Sequence, residues 1–136
     1  MRRLLATVAL AAVAVGTSSV VASAASRTVT LVSVQIREKI TSTGLTIWDN
    51  DMRGGQRIGH DRLICTFTPR RTAACTISFV LADGLLRAST ELAETQEHGT
   101  IRVLGGTGAY RGATGAGGFK NLNPAGTRTR VVLHLQ

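Results

Sequence analysis

Past residue 25, the chain alternates short β-branched or apolar runs with clusters of Gly, Asp, Asn and Pro, and no stretch carries apolar residues at helical spacing. That pattern predicts an all-β chain with strands near 28–37, 44–49, 58–68, 73–81, 85–92, 99–104, 113–121 and 127–135. Eight strands suit a barrel or a sandwich. Period-two alternation then assigns faces. Val131, Leu133 and Leu135 share one face of the last strand, against Arg128, Arg130 and His134, and Val32, Val34 and Ile36 form the inward face expected of the first.

The opening segment follows a different rule. Arg2 and Arg3 precede an aliphatic run, and Ala22-Ser23-Ala24 follows it; this is the pattern of a secretory signal peptide spanning 1–24. The run from Leu4 to Val15 is too short for the ~20 residues that cross a bilayer, so no stable membrane insertion is expected after cleavage. Removing 24 of 136 residues leaves 112, one domain at 25–136, and lowers the net charge from +8 to +6 with the two arginines. The expected product is a small, basic, secreted domain.

Export makes a disulfide the ordinary reading of the two cysteines, Cys65 and Cys75. These two and three scattered histidines provide too few ligands for a metal site. A cross-strand bridge makes opposed residue numbers sum to 140, which sets Leu63 opposite Ile77 and Asp61 opposite Phe79 around a turn at Pro69-Arg70-Arg71. Asp83-Gly84, read as a two-residue type I′ loop, sets Leu81 opposite Leu86 and Phe79 opposite Ala88. Both constraints put Asp61, Leu63, Cys65, Cys75, Ile77, Phe79, Leu86 and Ala88 on one core side.

The segment Ile101 to Gly115 runs a strand into glycines at 105, 106, 108, 112 and 115 around Tyr110. A dinucleotide loop would need a helix after the glycines and an acidic residue about 20 positions on, but here another β-like run follows. Gly105, Gly106, Thr107, Gly108, Tyr110, Ala113 and Gly115 instead resemble the G-G-[TSA]-G-x-[FY]-x-x-A-x-G signature of the allene oxide cyclase and dirigent barrel family. Trp48-Asp49-Asn50-Asp51 with Gly54-Gly55 and Ile58-Gly59 resembles that family's aromatic-Asp stretch, glycine loop and strand start, and Leu81-Ala82-Asp83-Gly84 its secreted bacterial members.

The resemblance implies an eight-stranded antiparallel barrel, commonly a homotrimer, that holds an apolar small molecule without any cofactor. It guides cyclisation or stereoselective coupling by restricting conformation. Dirigent proteins usually carry an arginine where this chain has Thr114, and cyclase barrels often place a lumen cysteine at a position resembling Cys65, whose thiol a disulfide would remove. The alternative function is a non-catalytic carrier or cell-surface interaction barrel.

Asp61 is the candidate catalytic residue, since a carboxylate among apolar side chains has a raised pKa and can serve as acid or base; its other reading is an ion pair with Arg57, Arg62 or another arginine. Trp48, Asp49, Tyr110, Ala88 and Phe79 are the candidate ligand contacts. Trp48 and Tyr110 could equally pack a loop over the barrel end, and Asp49 and Asp51 could equally serve a turn. The arginines are dispersed with little aromatic interleaving, so no nucleic-acid partner is expected.

Overall fold

The computed structural model describes residues 26–136 and, before them, only Gly16; the signal peptide expected at 1–24 lies outside the described residues. Eight antiparallel strands close a barrel in sequence order. They are β1 (Arg27–Ile40), β2 (Gly44–Arg53), β3 (Gln56–Phe67), β4 (Thr72–Leu81), β5 (Gly84–Ala93), β6 (His98–Gly106), β7 (Gly115–Asn121) and β8 (Arg128–Leu135). A short 3₁₀ turn, Gly108–Tyr110, lies between β6 and β7. Closure comes from β1, which pairs with both β2 and β8 and so leaves no free sheet edge.

Cys65 and Cys75 are bonded to each other, and the β3–β4 register runs as the bridge requires, with Leu63 opposite Ile77 and Asp61 opposite Phe79. Both cysteines are buried beside Ala73, Leu45 and Leu92 on the inner wall. Breaking this bridge by Cys65→Ala with Cys75→Ala is expected to cost about 2.5–3 kcal/mol in chain entropy. That corresponds to a melting point lower by roughly 10–20 °C, read by differential scanning calorimetry.

Two register expectations need correction. The β4–β5 turn is Ala82-Asp83, with Leu81 opposite Gly84, Phe79 opposite Leu86 and Ile77 opposite Ala88. Neither turn residue has the positive φ of a type I′ loop. Because the slip is two residues, every side chain keeps its face, and Leu86 and Ala88 are fully buried as expected.

In β1 the face itself is reversed. Val29, Leu31 and Ser33 point inward, whereas Val32 and Val34 are half-buried and Ile36 is 61% exposed. Val-Thr-Leu-Val-Ser-Val-Gln-Ile is apolar at positions of both parities, so alternation alone cannot choose the face. The β8 partners Val131 and Leu133, opposite Leu31 and Val29, make the choice. A bulge between Gln35 and Arg37 then shifts the register against β2.

The barrel is filled at one end and hollow at the other. Val29, Leu31, Phe79, Leu86, Leu133 and Tyr110 pack the end that carries the β2–β3, β4–β5 and β6–β7 connections. Tyr110 donates a 2.7 Å hydrogen bond to Asp83. Arg27 bonds the same carboxylate at 2.6 Å and lies over the Tyr110 ring at 4.9 Å. The opposite end remains open.

Candidate functional site

The open half encloses a cavity of about 310 Å³. Its apolar lining comes from Ile47 of β2, Leu63 of β3, Ile77 and Phe79 of β4, Ile101 of β6 and Phe119 of β7, and about as much of the wall is polar, with Ser33, Asp49, Asp61 and Thr90 among it. Gln35, Glu38, Glu94, Gln96 and Asn121 also line it, near the connections at the open end. On one side the β5–β6 ladder stops at Ser89 opposite Arg102. Beyond that point the seam is bridged by Thr90, whose hydroxyl donates to the Thr100 carbonyl at 2.7 Å.

Where the cavity meets the packed half, three strands converge on a carboxyl cluster. Strand alternation sends Asp49 and Asp51 of β2 inward, Asp61 of β3 faces Asp49 across the ladder, and Ser33 of β1 completes the group. All four are buried. The Ser33 Oγ lies 3.0 Å from Asp51 Oδ1 and 2.8 Å from Asp61 Oδ2. A hydroxyl has one proton. It can donate to one carboxylate only, so the other contact is a hydrogen bond when that carboxyl carries a proton and donates to Ser33.

The electrostatics point the same way. Burial, and then the neighbouring Asp61, push the Asp49 carboxyl up to about 8. Burial, and then the hydrogen bond and charge of Asp51, push Asp61 up to about 8 as well. Asp51 is raised by burial, against the opposing pull of its hydrogen bonds to Asp61 and Ser33. No cation touches the cluster, since among the described residues the only ion pair is Arg27–Asp83, and the Arg57 charge lowers Asp51 only from a distance. The ion pair weighed for Asp61 at the sequence level is therefore replaced by a shared-proton network.

Asp61 Oδ1 and Asp51 Oδ2 are buried and meet no N–H or hydroxyl donor. An unpaired buried polar atom is costly, and Asp61 lines the cavity, so a ligand atom is a natural partner for it. Among the described residues, no cluster of three or more His, Cys, Asp or Glu side chains is arranged to hold a metal ion.

Of the sequence candidates, Asp61, Asp49 and Phe79 meet at this cavity. Trp48 does not: it lies between inward Ile47 and Asp49, and the Arg37 guanidinium stacks on it at 4.5 Å on the outer wall. Tyr110 plugs the opposite end, where burial and its bond to Asp83 push its phenol up to about 12. Ala88 is buried in the packed core and does not line the cavity. Ser33 was missed because the β1 face was reversed; pairing the first strand with Val131 and Leu133 would have exposed it as the polar residue on an apolar face.

A closed, eight-stranded antiparallel barrel is consistent with the allene oxide cyclase and dirigent-like fold. Solved structures agree. Pyocyanin demethylase superposes with a TM-score of 0.68 at 22% identity, over 81% of this chain and 100% of that one. The pterocarpan synthase dirigent protein GePTS1 superposes at 0.57 and 13% identity, over 81% of this chain and 87% of its own. PsPTS1, another pterocarpan synthase dirigent protein, gives 0.56 and 13%, over 81% and 92%. No protein-family model and no curated protein sequence matches the chain.

Proposed function

We propose that this chain is an exported dirigent-like barrel that binds one flat, largely apolar small molecule in its open half and presents it with a neutral carboxyl group. The observation that carries the reading is the buried Asp61 carboxyl, whose Oδ1 finds no N–H or hydroxyl donor, on the floor of a cavity lined by apolar and polar side chains together. Near neutral pH a carboxyl raised to about 8 is mostly protonated. It donates a hydrogen bond, or in a transition state a proton, to a carbonyl oxygen or ring nitrogen of the ligand. Ser33, within hydrogen-bond distance of both Asp61 and Asp51, holds it in place. The apolar walls restrict the ligand's conformations, which is how such a barrel would favour one cyclisation or coupling product.

The neighbours support the ligand class: one is named for pyocyanin and two for a pterocarpan. Assembly as a homotrimer belongs to the same reading, as the sequence resemblance implies.

Small molecules that co-purify with the protein, identified by mass spectrometry, together with pyocyanin, are the first ligands to titrate calorimetrically. Leu63→Trp fills the cavity from a half-buried wall position and is expected to weaken binding by roughly 100-fold while the barrel stays folded, its overpacking cost being about 1–3 kcal/mol. Unchanged affinity in folded Leu63→Trp overturns the cavity as the site. Asp61→Asn keeps the volume and removes the proton. A loss of turnover of about 100-fold or more with little change in Kd identifies an acid catalyst, whereas tight binding without turnover in the native protein leaves a carrier.

A further inference from the structure

The barrel separates its charges. Of the eight Asp and Glu residues in the chain, Asp49, Asp51 and Asp61 are buried inside, Glu38 and Glu94 line the cavity, and Asp83 is bonded to Arg27. Glu97 lies in the β5–β6 connection, so the outer wall of β1–β6 itself carries Arg37, Lys39, Arg62, Arg87 and Arg102, all exposed, against the carboxylate of Glu91. Positive charge therefore prevails on this wall.

The cations are also ordered. The strand registers place Arg37, Trp48, Arg62, Ser78 and Arg87 side by side on successive strands β1 to β5. Adjacent strands lie about 4.8 Å apart, so the three guanidiniums repeat at roughly 10 Å in a line across the strands. Trp48 offers a flat face between the first two and already stacks with Arg37. The neighbouring row runs Lys39, Thr46, Ile64, Thr76, Ser89 and Arg102. It leads into a shallow outer groove of about 630 Å³, where Thr76, Ser89, Thr90, Thr100 and Arg102 line the wall together with Glu91.

We infer that this face of the barrel binds an acidic polysaccharide, a linear chain of sugars bearing carboxylates. Guanidinium groups pair bidentately with carboxylates, a row of Thr and Ser hydroxyls matches sugar hydroxyls, and one flat aromatic stacks on a sugar ring. Duplex nucleic acid fits less well, because a convex wall presents no element shaped to enter a groove. An anionic membrane would use the cations alone, whereas the Thr46, Thr76 and Ser89 hydroxyls beside them match a sugar chain better than a lipid surface. This surface is separate from the cavity and does not depend on it.

The test is binding of the purified protein to polygalacturonate, with neutral dextran, duplex DNA and phosphatidylserine vesicles in parallel at equal salt. The triple variant Arg37→Gln, Arg62→Gln, Arg87→Gln is expected to lose on the order of tenfold or more in affinity and to show a flatter salt dependence, as fewer ion contacts release fewer counterions. The control triple Lys120→Gln, Arg128→Gln, Arg130→Gln removes the same charge from β7 and β8 and is expected to change affinity by less than about threefold if position matters beyond net charge. Trp48→Leu, which alters no charge, is expected to weaken binding severalfold. Equal losses in the two triples overturn the proposal, as does tighter binding to DNA or to the vesicles. Cavity ligand binding by the first triple should be unchanged whichever result is obtained, which keeps the two readings separable.

Discussion

Raising the pH from 4 to 9 is expected to lower the stability of this barrel by several kcal/mol, each unit of pKa difference in a carboxyl being worth about 1.4 kcal/mol. The source is the carboxyl cluster. Asp49 and Asp61 are each pushed up from 3.8 to about 8, by burial first and then by Asp61 in the case of Asp49 and by Asp51 in the case of Asp61. In the unfolded chain both ionise near 3.8. Between those two values the folded state holds more protons than the unfolded state, so stability falls as pH rises through the window. It is fully present below about pH 4 and lost above about pH 8. Asp83 shifts the other way, lowered by Arg27 and Tyr110, but it is largely exposed and acts only at more acid pH. Differential scanning fluorimetry across pH 4–9 reads the slope. Asp61→Asn removes a titrating member while keeping shape, so its profile should be flatter and its melting point at pH 8.5 at or above that of the native protein. A flat native profile would mean that the cluster stays ionised, and the acid-donor reading of the cavity would fall with it.

The same cluster explains how far a linear reading could reach. The interior of β3, β4 and β5 was legible because two local constraints, a bridge between Cys65 and Cys75 and a turn beside Asp83, restrict register. Even the two-residue slip at Ala82-Asp83 cost nothing, because the side-chain period is two. In contrast β1 has no local anchor, and its apolar residues of both parities leave the face to be decided by a strand about a hundred positions away. Strand β2 was read as ending at Asp49 because Asp-Asn-Asp resembles a turn, yet it continues to Arg53 with both aspartates turned inward. Inward carboxylates contradict the alternation rule, and violations of local rules are where functional groups are expected. Asp61 was legible as an inward, buried carboxyl for that reason. Trp48 illustrates the reverse error: its flat apolar body suggested a ligand face, but strand parity between Ile47 and Asp49 places it outside.

Valine in place of Gly108 is expected to destabilise the barrel by about 4 kcal/mol or more, whereas valine in place of Gly112 is expected to cost only about 1–3 kcal/mol. Both glycines have left-handed backbone, with φ of 59° and 70°, a region strongly unfavourable for a β-branched residue. They differ in surroundings. A Cβ at Gly108 would lie 2.5 Å from the Asp83 carbonyl oxygen and 3.2 Å from Gly84 Cα, both backbone atoms, whereas one at Gly112 meets nothing within 4 Å. The Gly108–Tyr110 turn rests directly on the β4–β5 connection, and the Ala109 amide bonds the same Asp83 carbonyl at 2.9 Å. Displacing it would lift Tyr110 from the barrel end and break its bond to Asp83, opening the packed half of the core. Urea denaturation of the two variants measures the difference. Equal losses would mean that backbone conformation alone governs this segment. A Gly108→Val barrel as stable as the native one would show that the Tyr110 plug is not what closes this end.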